Sequence, residues 1–308
     1  MIDEALIQRL LAKHGLPEAF SIRRIERGIN NPIFIVNEAL VLRFDGLAGR
    51  WDHSRFAMEA RIYERLAIKG VPVPQVFAVD EDHDLFAGDV LLMSAAVGDA
   101  LIEAWPGLSE MQREGAANEA GRWLARIHTV TFPRWGQIHA VEEGGGFAHW
   151  ADYVADRIER HSAPCLQAGT LDEATYERLR AFERRCQPYF AALSTPVLVH
   201  ADYHFENIVQ RGGQITAIVD WEWSLAGDPA YDFAVEDQWS ATFHGAKEMV
   251  YAAYTLLHGL GPGFAARVAL YKMLRDLDDV QDYTNTPQRE RVEAALGRIR
   301  AELAKQRA

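Results

Sequence analysis

Apolar positions in the first third of the chain recur at two different periods. Ala5, Leu6, Leu10 and Leu11 share one face at helical spacing behind Asp3, a capping residue, which predicts a helix over 3–14. The runs 20–25, 32–36 and 39–44 are short and rich in apolar and β-branched residues. Gly28, Asn30, Asn31 and Asn37 punctuate them, so they read as hairpin-linked strands. Helical spacing returns at Phe56, Ile62, Leu66 and Ile68, predicting a helix from about 53 to 69. Gly70 stops that helix, and Pro72 and Pro74 force an extended exit. Runs 76–79 and 89–93 read as two more strands around the polar turn 80–84. Residues 1–94 are therefore expected to form a small antiparallel sheet carrying one helix.

The pattern then changes. From Leu108 on, helical spacing predominates, at about 108–129, 149–162, 172–193, 245–258, 264–280 and 286–305. The stretch 131–148, with Pro133, Gly136 and the glycines 144–146, reads as a loop insertion. One β-like island interrupts the helices: runs 196–199, 207–210 and 214–219, the last two joined by Arg211-Gly212-Gly213. The expected class is α+β, with an N-terminal lobe at 1–94 and a mainly helical lobe at 95–308.

Composition narrows the field of functions. The chain has 308 residues and a net charge of −12, most of it carried by residues 95–308, so it has no general attraction for nucleic acid or an anionic membrane. Cys165 and Cys186 form no CxxC pair and read as reduced thiols. The N-terminal Met-Ile-Asp-Glu is acidic where a signal peptide is basic, and no apolar run approaches the ~18 residues that span a bilayer. A cytoplasmic protein is expected.

The β-island holds the candidate chemistry. It contains Val199-His200-Ala201-Asp202-Tyr203-His204-Phe205-Glu206-Asn207, and thirteen residues after Asn207 comes Asp220. Asp202 lies in a polar loop between apolar runs and can face a cleft. Asn207 and Asp220 flank the expected hairpin, which brings both side chains to one end. An amide oxygen and a carboxylate converging there suit a hard octahedral cation such as Mg²⁺, usually shared with substrate phosphates. A second carboxylate, Asp202, can then orient or accept a hydroxyl proton, the minimum for phosphoryl transfer to an alcohol. The plainer alternative makes His200, Asp202 and Asn207 turn residues. A zinc site from His200, Asp202 and His204 has neither a fitting Cys ligand nor an HExxH helix beside it.

His-x-Asp-x4-Asn followed by an apolar-apolar-Asp resembles the catalytic loop and metal-binding Asp of the aminoglycoside phosphotransferase and choline kinase superfamily, relatives of the protein kinases. The run from Asp220-Trp221-Glu222 through Gly227-Asp228-Pro229 to Asp232-Phe233-Ala234 resembles the family's second signature. The resemblance extends over residues 20–240 and implies a two-lobed kinase-like fold. Arg27 to Val36 looks like the phosphate-covering hairpin, with the backbone at Gly28, Asn30 and Asn31 cradling phosphate oxygens. Arg43 stands where the family strand carries its phosphate-contacting Lys, and a guanidinium is not equivalent to an ammonium. Glu59 matches the helix Glu that pairs with that cation. The run 91–98 resembles the interlobe hinge, so Met93, Ser94 and Ala96 are expected at the nucleotide base.

By the same resemblance Asp202 is the catalytic carboxylate, His200 braces its loop, and Asn207 and Asp220 hold Mg²⁺. Asp232 caps the loop, and His128 is structural. The implied reaction moves the γ-phosphate of ATP or GTP to a hydroxyl of a small molecule. The acceptor is an aminoglycoside-type antibiotic or a similar amino alcohol or sugar, or a metabolite of the choline or thiamine type. A nucleotide-binding pseudokinase is the other reading, motivated by the single-glycine hairpin and Arg43. Acidic residues Glu222, Glu236, Asp237 and the run 276–282 suit a polycationic acceptor, or form a solvated face. Trp221, Trp223, Trp239 and Tyr231 suit a quaternary ammonium, or pack a core.

Overall fold

The computed structural model describes residues 2–25, 31–46, 53–242 and 244–306. The elements begin with α1 (Glu4–Lys13), β1 (Ile22–Ile25), β2 (Ile33–Val36), β3 (Leu40–Phe44), α2 (Arg55–Ile68), β4 (Val76–Asp80) and β5 (Val90–Ser94). Next come β6 (Asp99–Ala100), α3 (Leu101–Ala104), α4 (Glu110–Ile127), β7 (Gly136–Gln137), α5 (Ile138–Glu142), α6 (Trp150–Gln167) and α7 (Glu173–Phe190). The chain continues through β8 (Val197–Val199), β9 (Ile208–Arg211), β10 (Gln214–Ile218) and β11 (Leu225–Gly227). It ends with α8 (Glu236–Thr242), α9 (Ala246–Thr255), α10 (Phe264–Tyr283) and α11 (Arg289–Lys305). Among the described residues no helix is long and apolar enough to cross a membrane.

The elements gather into two compact units. The first comprises residues 1–127, 204–223 and 248–253. Its sheet runs β1-β2-β3-β5-β4, with every neighbouring pair antiparallel. Leu40, Leu42 and Phe44 of β3 face one side and pack with Phe34, Val36 and the stripe Leu6, Ile7, Leu10 and Leu11 of α1. Strand alternation turns Arg43 to the opposite side, where its guanidinium lies 5.3 Å from the Phe56 ring centroid of α2. Ser54 starts α2 by accepting the Ala57 amide at 3.1 Å. The polar turn after β4 gathers Asp80, Asp82 and Asp84 around the Lys13 ammonium at 2.8, 3.0 and 2.6 Å, which staples α1 to the sheet. A second sheet, β10-β9-β6, belongs to the same unit.

The second unit comprises residues 128–203, 224–247 and 254–308. Helices α6, α7, α10 and α11 pack on one another, and Trp150 of α6 lies against Gly227 in the small sheet β7-β11-β8. Its core includes buried polar groups. Asp228 receives Arg267 and the Tyr271 hydroxyl in a buried network, and Trp150 Nε1 donates to Tyr271 Oη at 2.7 Å. The stretch 131–148, expected as an irregular loop, contains β7 and α5 instead. Gly136 permits this, since its φ of +129° is a backbone conformation that residues with a side chain rarely adopt.

Candidate active site

In the first unit the β9–β10 hairpin sets the metal-binding candidates. The Val219 amide donates to the Asn207 carbonyl at 3.0 Å, so the segments carrying Asn207 and Asp220 meet at one end of the hairpin. Beside Asp220 lies a group of charges. Arg43 Nη1 donates to Glu59 Oε1 at 2.6 Å, and Arg43 Nη2 stands 3.5 Å from Asp220 Oδ1 and 3.8 Å from Glu222 Oε2. Arg55 Nη2 stands 2.6 Å from the same Glu222 oxygen. Glu59 Oε1 also accepts the Tyr63 hydroxyl at 3.0 Å and the Trp221 amide at 3.3 Å. Burial opposes the charge of Arg43, but Glu59 and then Asp220 outweigh it and hold the guanidinium above its ordinary value. Burial, followed by the charge of Asp220, pushes Glu222 up to about 7.

The group contains three carboxylates, Glu59, Asp220 and Glu222, against two guanidinium groups, Arg43 and Arg55. Asp220 Oδ1 is buried and has no hydrogen-bond partner among the described residues. Asp220 also holds a left-handed φ of +67°, which aims the carboxylate at the cost of backbone strain. An excess of negative charge with a buried carboxylate oxygen that accepts no hydrogen bond fits a divalent cation.

Asn31 joins this group. Its Nδ2 donates to Glu222 Oε2 at 3.2 Å and its Oδ1 accepts the Gly46 amide at 3.2 Å. Gly28 and Asn30 lie outside the described residues. Met93 is buried in β5. The Ser94 amide donates to the Gln75 carbonyl at 2.8 Å and the Ala95 amide to the Ala39 carbonyl at 2.7 Å. Both amides serve the sheet, and Ala96 follows half-buried.

In the second unit β8 delivers His200, Ala201 and Asp202. Asp232, fully buried, accepts the His200 amide at 3.0 Å and the Ala201 amide at 2.7 Å. His128 Nε2 meets Asp232 Oδ2 at 3.0 Å, and its Nδ1 meets the Tyr254 hydroxyl at 2.8 Å. His200 is fully buried and its Nδ1 accepts the Asp202 amide at 3.3 Å, a bracing contact. Asp202 Oδ1 accepts from Arg275 Nη2 at 2.7 Å. Asp202 belongs to the second unit and the Arg43 group to the first.

Several residues differ from their expected setting. Glu222, grouped by sequence with the acceptor-side acids, packs in the first unit on Arg43, Arg55 and Asn31. Trp221, Tyr231 and Trp239 are core residues, with only Trp223 half exposed. The acids of α10 are paired. Asp276 and Asp279 engage Arg298, while Asp278 engages Arg157 and His161. Arg55 and Arg275 were not anticipated. The one available signal for Arg275 is a lone cation heading the acidic run 276–282.

A profile of the phosphotransferase enzyme family matches residues 21–267. The chain belongs to that family. The chain is 27% identical over 239 residues to acyl-CoA dehydrogenase family member 10 of Mus musculus. The match covers 75% of the chain but spans only 21% of the mouse protein. Among solved structures, it is similar to a thermostable mutant of aminoglycoside phosphotransferase APH(4)-Ia in the apo form. The TM-score is 0.72 at 19% identity, with 99% of each chain covered. It is also similar to APH(2")-IIa in complex with gentamicin, with TM-score 0.73, 16% identity and 98% of each chain covered. A ternary complex of an APH(4)-Ia variant with ADP and hygromycin B matches with TM-score 0.70 and 19% identity, over 97% of this chain and 98% of that chain. These likenesses establish the two-lobed kinase-like fold: an antiparallel sheet lobe with α2, and a mainly helical lobe.

Proposed function

We propose that this phosphotransferase moves the γ-phosphoryl group of a nucleoside triphosphate, ATP or GTP, to a hydroxyl of a small molecule. The observation that carries the reading is the buried Arg43–Glu59 ion pair beside Asp220. A guanidinium held charged next to an excess of carboxylate suits a metal-bound polyphosphate. Residues 1–94 form the nucleotide-binding part in this reading, and 95–308 the catalytic and acceptor-binding part. Arg43 binds the α- and β-phosphates and Glu59 keeps it in place. Gly28, Asn30 and Asn31 cover the phosphates, and Met93, Ser94 and Ala96 meet the base. Asn207 and Asp220 would hold Mg²⁺, which supplies positive charge against the phosphate oxygens when bound.

Asp202 orients the acceptor hydroxyl and takes its proton as the oxygen bonds to phosphorus. His200 braces the loop without exchanging protons, consistent with its burial and its Nδ1 contact to the Asp202 amide. Two observations bear on the acceptor. The solved relatives in complex with hygromycin B, gentamicin and streptomycin favour an amino sugar. The mouse relative, an acyl-CoA dehydrogenase family member by name, favours a metabolite over an antibiotic. The pairing of Asp276, Asp278 and Asp279 with cations leaves fewer bare carboxylates for a polycation and supports the second class.

The test is a turnover assay with Mg²⁺ and ATP or GTP against aminoglycosides, hygromycin, choline, thiamine and simple sugar and aliphatic alcohols. Product is detected by mass for wild type and Asp202→Ala side by side. A phosphorylated product from wild type alone supports the reading and names the acceptor class. Absence of both product and nucleotide binding refutes it. Nucleotide binding without any turnover supports the pseudokinase reading instead.

A further inference from the structure

The turn carrying Asp202 is gripped from two sides within the second unit. Asp232 takes the amides of His200 and Ala201 on one side. On the other, Arg275 of α10 donates Nη2 to Asp202 Oδ1 at 2.7 Å and Nη1 to the Ala201 carbonyl. These two acceptors sit on consecutive residues. One planar guanidinium therefore fixes the direction of the Asp202 carboxylate relative to its own backbone. The grip matters because Ala201 holds a φ of +65°, which an alanine adopts only when its surroundings impose it. The pair is largely shielded, with side-chain exposures of 28% for Arg275 and 22% for Asp202. The acids that follow on α10 have nearer cations in Arg298, Arg157 and His161, and Arg275 directs its hydrogen bonds to the turn.

We propose that Arg275 is a positioning residue for phosphoryl transfer, acting through Asp202 and touching neither nucleotide nor acceptor. The proposal rests on the reading of Asp202 as the proton-accepting carboxylate. A carboxylate turned away from the hydroxyl loses the alignment on which proximity catalysis depends. A carboxylate stripped of its cation also becomes more basic, and is protonated at a higher pH. Other groups around the pair include His200, whose Nδ1 accepts the Asp202 amide, and Tyr231, Asp276, Asp278 and Asp279, which lie within electrostatic range of Arg275.

The test compares wild type with Arg275→Met and Arg275→Lys. Aspartate carboxyl carbons are labelled with ¹³C, and the signal missing from Asp202→Asn identifies Asp202. Its titration midpoint is expected to rise by about one pH unit in Arg275→Met. It should return most of the way in Arg275→Lys, which keeps the charge and guards against a folding defect. With Mg²⁺-ATP and water as acceptor, kcat is expected to fall about tenfold to a hundredfold in Arg275→Met. KM for ATP should stay unchanged, and Arg275→Lys should recover part of kcat. An unmoved midpoint overturns the proposal. So does a fall in kcat matched by lost ATP affinity. If wild type neither binds nor hydrolyses ATP while the midpoint still moves, the grip on Asp202 stands and the phosphotransfer reading alone falls.

Discussion

Arg43 and Glu59, on β3 and α2, meet at 2.6 Å with the glutamate side chain fully buried and the arginine side chain 7% exposed. Glu59 Oε1 also receives Tyr63 and the Trp221 amide, so one carboxylate oxygen ties sheet, helix and the segment after Asp220 together. Removing it leaves a guanidinium buried without its main counter-charge. Glu59→Ala should therefore cost about 3–5 kcal/mol, whereas a surface pair costs under about 1 kcal/mol. Glu59→Gln keeps an acceptor oxygen and should cost less. Urea denaturation of the three proteins measures the order, and equal midpoints for wild type and Glu59→Ala would rule it out.

Asp232 does the corresponding task in the second unit. Its two oxygens accept two backbone amides and His128, all buried. Each orphaned buried donor costs about 1–3 kcal/mol. Asp232→Ala should lower stability by about 3 kcal/mol or more, and Asp232→Asn by less because its amide oxygen still accepts. Hydrogen exchange of the His200 and Ala201 amides offers a local check. Both should exchange faster in Asp232→Ala, even in conditions where the protein remains folded.

What could be read from the sequence follows from how local each determinant is. The β9–β10 hairpin was legible because Arg211-Gly212-Gly213 fixes its turn between apolar strands, and that register places Asn207 and Asp220 together. The long helices were legible from their period to within a few residues at most ends, whereas the short α3, α5 and α8 were not. Strand β7 was not, since its two residues are too short to show any alternation. The partners of Glu222 and Asp202 were equally hidden. Arg55 is far from Glu222 in the chain, and Arg275 is 73 residues from Asp202. Pairing at such separations depends on how the folded elements pack, which spacing along a chain does not encode. Residue type therefore suggested the chemistry, and only the packing assigned each carboxylate its cation.

Two aspartates should shift stability with pH in opposite directions. Asp172 caps α7, accepting the Thr175 amide at 2.8 Å and Arg300 at 2.7 Å, and these contacts hold it down at about 2, Arg300 contributing most. A carboxylate lowered on folding stabilises above its unfolded value near 4 and loses that contribution as pH falls toward 2. Asp172→Ala should thus cost about 1 kcal/mol at neutral pH, and little at pH 2. Asp276 is pushed up to about 6, mainly by burial, with Arg298 only partly compensating. A carboxylate raised on folding destabilises increasingly as pH rises from about 4 to about 6. Asp276→Asn should be neutral near pH 4 and stabilising at pH 7.5, by less than about 3 kcal/mol. Melting temperatures of each variant against wild type across pH test both signs.

Gly98 supplies a steric test next to the proposed nucleotide-binding segment. A Cβ on Gly98 would lie 2.0 Å from the Gln210 carbonyl oxygen, and φ there is +123°. Both obstacles are backbone, so no side-chain rotation relieves them. The clash falls where β6 pairs with β9, at Asp99 opposite Gln210. Gly98→Ala should break that pairing and destabilise the first unit by more than the roughly 1 kcal/mol that a left-handed φ alone costs. Gly15→Ala is the control. Gly15 also has a positive φ, +65°, yet nothing lies within 4 Å of its Cβ position, so it should show the backbone cost alone. Denaturation midpoints separate the two. If Gly98→Ala is no worse than Gly15→Ala, the approach of the two backbones is not a constraint on the fold. If it is far worse and ATP binding is lost with it, the β6–β9 pairing also supports the segment 93–96 assigned to the base.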